Sequence, residues 1–291
     1  MDHFTYRDWP DAVRLTNGTA ELIVVPSIGG RIMRYGLIGG ENILWENPTA
    51  SDKNFGGDKA WPWPQSDWKQ LIGADWPPPD AYALTPCTVE QLDPLSVRIT
   101  TSADPRFGFR IIREIRMSDH GTRVTLESRL VPEPGAKTVA TQFAPWSVTQ
   151  VPNADFILAR VAEDASNPPY RPLPPHAAAG VDRIGREVLR ITRPSKDAAK
   201  IGIDADILAW VNGSTFFMQR LQPASALPTN PGERAQVFLQ GGDSPDEYTE
   251  LEFAAPRGDL SRSVLRVTWE IHDLPRDLGT PENVAAYIVR F

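Results

Sequence analysis

Ala20-Glu21-Leu22-Ile23-Val24-Val25, closed by Pro26 and then by Gly29-Gly30, is the stretch from which the fold can be read. A short, β-branched run that stops at proline and paired glycines has the form of a strand ending in a turn. The alternation of apolar and polar side chains is sharper in Ser96-Val97-Arg98-Ile99-Thr100 and in Arg123-Val124-Thr125-Leu126-Glu127-Ser128, which meet turns at Asp104-Pro105 and Asp119-His120-Gly121. Further strands are expected at Phe109 to Met117, Thr138 to Phe143, Glu187 to Thr192, Ile207 to Val211, Thr215 to Leu221, Ala235 to Gln240, Tyr248 to Phe253 and Ser263 to His272. Helix is scarce. The best candidate is a short one at Pro281 to Ala286, with Thr280 as N-cap and Pro281 in its first turn. Many antiparallel strands joined by Pro/Gly turns predict an all-β sandwich or barrel, and 291 residues fit a single domain over 1–291.

Composition narrows the partners. Thirty Lys+Arg against 37 Asp+Glu give a net charge of −7 with no block of like charge, which argues against nucleic acid and anionic membrane surfaces. No apolar run is long enough to span a bilayer, and the first residues lack a basic segment followed by an apolar one. The single cysteine, Cys87, rules out an internal disulfide or a cysteine-based zinc cluster and fits a reducing compartment, so a cytoplasmic location is expected. No metal is expected: Asp204 and Asp206 lack the glycine and downstream glutamate of a calcium loop and read as surface acids. No phosphate loop or Gly-x-Ser-x-Gly elbow is present, and no cofactor is expected.

Residues 45 to 76 hold five of the nine tryptophans, Trp45, Trp61, Trp63, Trp68 and Trp76, interleaved with Pro62, Pro64 and Pro77 to Pro79. Proline disfavours helix and interior strand pairing, so these indoles are expected mainly on loops. Flat rings with one N–H edge suit a ligand with apolar C–H faces and hydroxyl edges, which makes Trp61, Trp63 and Trp76 candidates for the floor of a sugar site. The competing reading is a small satellite core under a long loop. The Pro-rich stretch Ala162 to Gly180 is long enough to be a lid or binding loop.

The order of segments adds a resemblance. Val24-Val25-Pro26-Ser27-Ile28-Gly29-Gly30-Arg31-Ile32 and Gly40 to Trp45 resemble the N-terminal hairpin of the galactose mutarotase-like (aldose 1-epimerase-like) superfamily. Gly56-Gly57-Asp58-Lys59-Ala60-Trp61-Pro62-Trp63-Pro64-Gln65 resembles its Gly-Gly and Pro-aromatic-Pro loop, and Phe107 to Leu130 its paired strands. Gln142 to Gln150 falls where mutarotases carry His-Pro-Tyr-Phe, Tyr248-Thr249-Glu250-Leu251-Glu252 where they carry the catalytic glutamate, and Arg262 to His272 resembles their closing strand. The combination looks closer to an uncharacterised branch, the DUF4380 type. The resemblance spans residues 20 to 272 and implies a β-supersandwich.

It also implies a chemistry. Interconverting anomers needs a base for the anomeric hydroxyl proton and an acid for the ring oxygen. The resemblance makes Glu250 the base, and the period of two places Glu252 on the same strand face; a solvated outer face is the alternative for both. The acid histidine is missing, since the corresponding residues are Ala144-Pro145-Trp146. His176 in the Pro-rich stretch can swing over a site or be an exposed loop histidine. Lys59 can donate to a ring oxygen or be a salt-bridged structural lysine. Arg31 can hold a hydroxyl pair or a carboxylate, or be an exposed strand arginine. Gln142, Trp146 and Gln150 border the same cavity by the resemblance. The expected activity is epimerase- or mutarotase-like on a sugar or sugar derivative. Two alternatives stand beside it: a non-catalytic carbohydrate-binding protein, and a lyase or isomerase acting on a uronic acid-like substrate.

Overall fold

The computed structural model describes residues 3–161, 165–193, 196–222, 232, 234–242, 247–273 and 280–290. The chain begins with β1 (His3–Tyr6), β2 (Trp9–Thr16), β3 (Ala20–Val25), β4 (Arg31–Leu37) and β5 (Asp58–Trp63), then two short helices, α1 (Trp68–Ile72) and α2 (Asp80–Ala83). Next come β6 (Thr88–Asp93), β7 (Ser96–Thr100), β8 (Phe109–Met117), β9 (Val124–Pro132), β10 (Ala144–Pro152) and β11 (Phe156–Val161). After these lie β12 (Tyr170–Pro172), β13 (Gly180–Ile184), β14 (Val188–Thr192), β15 (Ala199–Ile203), β16 (Ala205–Asn212) and β17 (Thr215–Leu221). The chain closes with β18 (Ala235–Leu239), β19 (Tyr248–Ala254), β20 (Val264–Asp273) and α3 (Pro281–Ile288).

These strands form two antiparallel ten-stranded sheets. The first runs β1-β2-β3-β4-β5-β10-β19-β18-β15-β12 and the second β13-β14-β11-β16-β17-β20-β9-β8-β7-β6. One buried apolar cluster joins them, with Leu22, Ile32, Val151 and Phe253 from the first sheet and Ile111, Leu126, Phe217 and Trp269 from the second. The expected all-β supersandwich is what the chain builds. The expected strands at 109–117 and 215–221 match to the residue, and Thr280 caps α3 by accepting from the Asn283 N–H at 3.4 Å.

Two expectations fail for identifiable reasons. Residues 138–143 are not a strand: Thr138 Oγ1 takes the Ala140 N–H at 3.1 Å and the Val139 carbonyl takes the Gln142 N–H at 2.8 Å, so local bonds consume donors a ladder would need. The strand starts at Ala144 instead. The prolines also do not keep the tryptophan stretch out of the sheets, because β5 is an interior strand between β4 and β10. Its Pro62 stands opposite Pro145. With no N–H on either, this pair occupies a non-hydrogen-bonded position, and the flanking pairs Trp61–Trp146 and Trp63–Ala144 carry the ladder. On its other side β5 pairs with β4 only at Ile32–Asp58, so Pro62 removes no bond there. Part of the expected binding loop, residues 162–164, lies outside the described residues.

The two faces of the first sheet divide cleanly. Asp58 pairs with Arg113 of β8 in the second sheet and accepts from Ser147 Oγ at 2.9 Å and Thr149 Oγ1 at 2.7 Å. Thr149 Oγ1 in turn accepts from Gln219 of β17 at 2.8 Å. These side chains therefore fill the space between the sheets. The strand period sends the alternate set, Lys59, Trp61, Trp146, Gln150, Glu250 and Glu252, to the opposite face.

Candidate functional site

Register brings the outward set together. Trp61 lies opposite Trp146, Lys59 opposite Val148, and Gln150 and Val148 opposite Glu250 and Glu252. On the next strands Phe238 faces Glu250 and Lys200 faces Phe238. Directly opposed residues share a face, so five adjacent strands build one surface from these side chains.

The β4–β5 side of this surface is buried, while Glu250 and Phe238 are partly exposed. Arg31, Lys59 and Trp61 are 3%, 2% and 3% exposed, and Glu252 is fully buried. The Arg31 guanidinium carbon and the Lys59 ammonium stand 5.9 and 5.3 Å from the Trp61 ring centroid, within cation–π range. Arg31 Nη1 donates to the Gly56 carbonyl at 2.9 Å. Gly56 and Gly57 let the chain pass close to Trp45 and Ile32 there: both have positive φ, and a Cβ on Gly56 would stand 2.2 Å from the Trp45 carbonyl oxygen. Trp61 is also braced edge-to-face by Trp68, Trp76 and Trp146, at 5.7 to 6.1 Å between ring centroids.

Two carboxylates sit on this surface with different partners. Glu252 Oε1 meets Lys200 Nζ at 3.0 Å and its Oε2 accepts from Trp146 Nε1 at 3.1 Å. Burial raises its pKa to about 7, against the opposing pull of Lys200. Glu250 accepts from Gln150 Nε2 at 3.0 Å, and that amide also donates to Asn54 Oδ1 at 3.0 Å.

Lys59 stands apart. Burial lowers its pKa to about 7, with Glu250 the strongest charge opposing the shift and Arg31 adding to it. Its Nζ, the Nε1 of Trp61 and the Nε of Arg31 are buried without hydrogen-bond partners among the described residues. Such donors are costly unless something else meets them. Burial also lowers Arg31 to about 10.

His176 reaches the same place from the Pro-rich stretch. Its ring lies 5.2 Å from that of Phe238, and burial together with the charge of Lys200 lowers its pKa while Glu250 raises it. Arg31, Lys59, Trp61, Trp76, Trp146, Gln150, His176, Glu250 and Glu252 therefore gather at or around one surface. Two expected residues do not join them. Trp63 projects on the same face but packs under Arg257, 5.1 Å from its ring centroid, and Gln142 is exposed in the turn before β10, at the far end of that strand from Gln150.

Lys59 makes no ion pair among the described residues, because Asp58 faces the opposite way to pair with Arg113. Asp204 is no surface acid but is 1% exposed and accepts from the N–H and Oγ of Ser166, at 2.8 and 2.7 Å, while Asp206 pairs with Arg160 at 2.6 Å. Lys200 and Phe238, not among the expected residues, join the surface as well. The alternation Ala199-Lys200-Ile201-Gly202-Ile203 carried the signal for a strand with Lys200 on its polar face. Among the described residues no group of three or more His, Cys, Asp or Glu is placed to hold a metal, and no helix is long and apolar enough to cross a membrane.

No protein-family model matches the sequence, and no curated protein matches it either. Solved structures do. A putative aldose 1-epimerase from Escherichia coli K12 superposes with a TM-score of 0.56 at 11% identity, covering 90% of this chain and 99% of that one. A galactose mutarotase related enzyme from Lactobacillus acidophilus gives 0.56 at 11% identity over 90% and 97%, and a galactose mutarotase-like protein from Lactobacillus casei ATCC 334 gives 0.52 at 9% over 90% and 100%. These identities are low and the coverage is nearly complete, which makes the likeness one of architecture: the chain has the galactose mutarotase-like β-supersandwich fold.

Proposed function

We propose that this protein is a carbohydrate-active, epimerase-like enzyme of the cytoplasm, of the DUF4380 type by its motifs, in which Glu250 is the base and Lys59 the acid. The supporting observation is the Lys59 ammonium: buried, without a hydrogen-bond partner among the described residues, lowered to about 7, and facing Glu250 electrostatically across the same surface. A group with a pKa near neutrality gives up a proton readily and still carries it at working pH. It stands in for the histidine that Ala144 replaces.

The steps balance simply. Glu250 takes the proton of the anomeric hydroxyl while Lys59 gives one to the ring oxygen, and the bond between that oxygen and the anomeric carbon breaks. The open aldehyde turns about its bond to the next carbon. Reclosure reverses both transfers and delivers the other anomer. The tryptophan cluster supplies the apolar wall for the sugar's C–H face, and the unpartnered Trp61 Nε1 is a donor for a hydroxyl. A rival reading, recognition without turnover, draws on one observation: the group in direct contact with Glu250 is the amide of Gln150.

Polarimetry with a panel of aldoses and sugar acids separates the two. Because Lys59 must be protonated to act, the rate should fall as pH rises through about 7. Glu250→Gln should cost roughly 10²- to 10⁴-fold in kcat while ligand still binds. Binding of one sugar with no acceleration of any would establish the rival.

A further inference from the structure

The charges around Trp61 do not balance. Arg31 and Lys59 both lie buried over that ring, and neither has an ion-pair partner among the described residues. Asp58, adjacent in sequence, is spent on Arg113, Ser147 and Thr149 between the sheets. Glu252 is spent on Lys200 and Trp146. Among the described carboxylates of this surface that leaves Glu250 as the one not already in an ion pair, and its charge acts on both cations. Arg234 is buried beside the same surface, next to Ala254, and has interactions of its own.

The geometry of the two cations narrows what would complete the set. Arg31 uses Nη1 on the Gly56 carbonyl, which leaves its Nε edge unmet, and a guanidinium edge takes a planar carboxylate in two parallel hydrogen bonds. Lys59 presents a point charge beside it. In a hexuronic acid the carboxylate is borne by the carbon that also carries the ring oxygen, so a cation for the one and a proton donor for the other must be neighbours. Arg31 and Lys59 are neighbours over one ring.

We infer that the substrate is an aldose carrying a carboxylate next to its ring oxygen, a hexuronate, with Arg31 as the residue that selects the carboxylate. This rests on the site proposed above and names its substrate class. One net positive charge among Arg31, Lys59 and Glu250 favours a monoanion over a sugar phosphate, which carries nearly two charges at neutral pH. Bound carboxylate also keeps Lys59 protonated, which ties recognition of the acid group to readiness of the proton donor.

The test compares D-glucuronate and D-galacturonate with D-glucose and D-galactose, D-glucuronamide and D-glucose 6-phosphate, by rate of anomer exchange in NMR and by calorimetric binding. The uronates should exceed the neutral sugars and the uronamide by about 10- to 100-fold in kcat/KM or in affinity. Arg31→Gln, checked for folding by circular dichroism, should collapse that preference towards unity, chiefly through KM. Equal handling of uronate and uronamide, or a preference for the phosphate, overturns the inference while leaving the catalytic reading intact. Uronate binding with no turnover of any sugar supports selection of the carboxylate by Arg31 and overturns the catalytic reading. Absence of both binding and turnover overturns both. The uronate and uronamide comparison uses the unaltered protein, so it decides the matter even if the variant does not fold.

Discussion

Lys59 costs the protein stability in return for its position. Its folded pKa near 7 lies below the ordinary lysine value of 10.5. Between those two values the unfolded chain holds a proton that the folded chain lacks, so this residue's contribution makes stability rise with pH across that window and fall back as pH drops towards 7. Lys59→Met should therefore be more stable than the native protein at neutral pH, by roughly 1–3 kcal/mol, with the gap closing as pH approaches 10.5. Urea melts of both proteins at neutral and alkaline pH would show it, and a variant less stable at both would disprove the buried, unpaired charge. For Trp61 the core role dominates, and truncating it confounds binding with folding. Trp76, half exposed and edge-on to Trp61 at 5.7 Å, is the cleaner probe. Trp76→Ala should weaken sugar binding by about 0.5–1.5 kcal/mol with little change in melting temperature. Most of these residues were legible in the sequence, because a strand period of two and a family resemblance locate Glu250, Glu252, Arg31 and Lys59 without coordinates. Lys200 was not, since its partner Glu252 is about 50 positions away and nothing local marks the pair.

At the scale of elements, β5 shows where sequence reasoning stops. Proline counts against an interior strand only if its missing N–H is asked for, and whether it is asked for depends on register, which is set by residues far away. Pro62 and Pro145 meet each other, so neither is penalised. The turn that launches β5 is more legible: Gly56 and Gly57 both adopt positive φ, and both pass close against backbone, at Trp45 and Ile32. Gly56→Ala should destabilise by about 1–3 kcal/mol. It should also raise KM for a sugar ligand, since the Gly56 carbonyl holds Arg31. Chemical denaturation and steady-state kinetics on the one variant test both halves; native stability would refute the steric argument.

For the whole molecule, the sandwich is pinned by a polar post in an otherwise apolar interior. Asp58 and Arg113 pair between the sheets, and Thr149 and Gln219 bond beside them. Arg113→Met should cost about 3–5 kcal/mol, because it strands a carboxylate in the core, and adding Asp58→Asn should recover a good part of that loss. Thermal unfolding of the two single variants and the double variant measures the coupling; additive effects would mean the pair does not act as a unit. The overall architecture was visible from strand spacing and turn residues. The post was not, because a buried ion pair between distant strands leaves no mark in either segment.

Asp58 and Lys59 are consecutive residues pointing opposite ways, one clamping the two layers and the next lying on the surface proposed for the ligand. A slip of β5 by one position would thrust the ammonium between the layers and swing the carboxylate out, undoing clamp and chemistry in a single move. Insertions or deletions upstream of Gly56 are thus not neutral loop edits. Redesign of the proposed site should leave β5 fixed and recruit new contacts from β18, whose outward positions Gln236 and Phe238 lie away from the clamp.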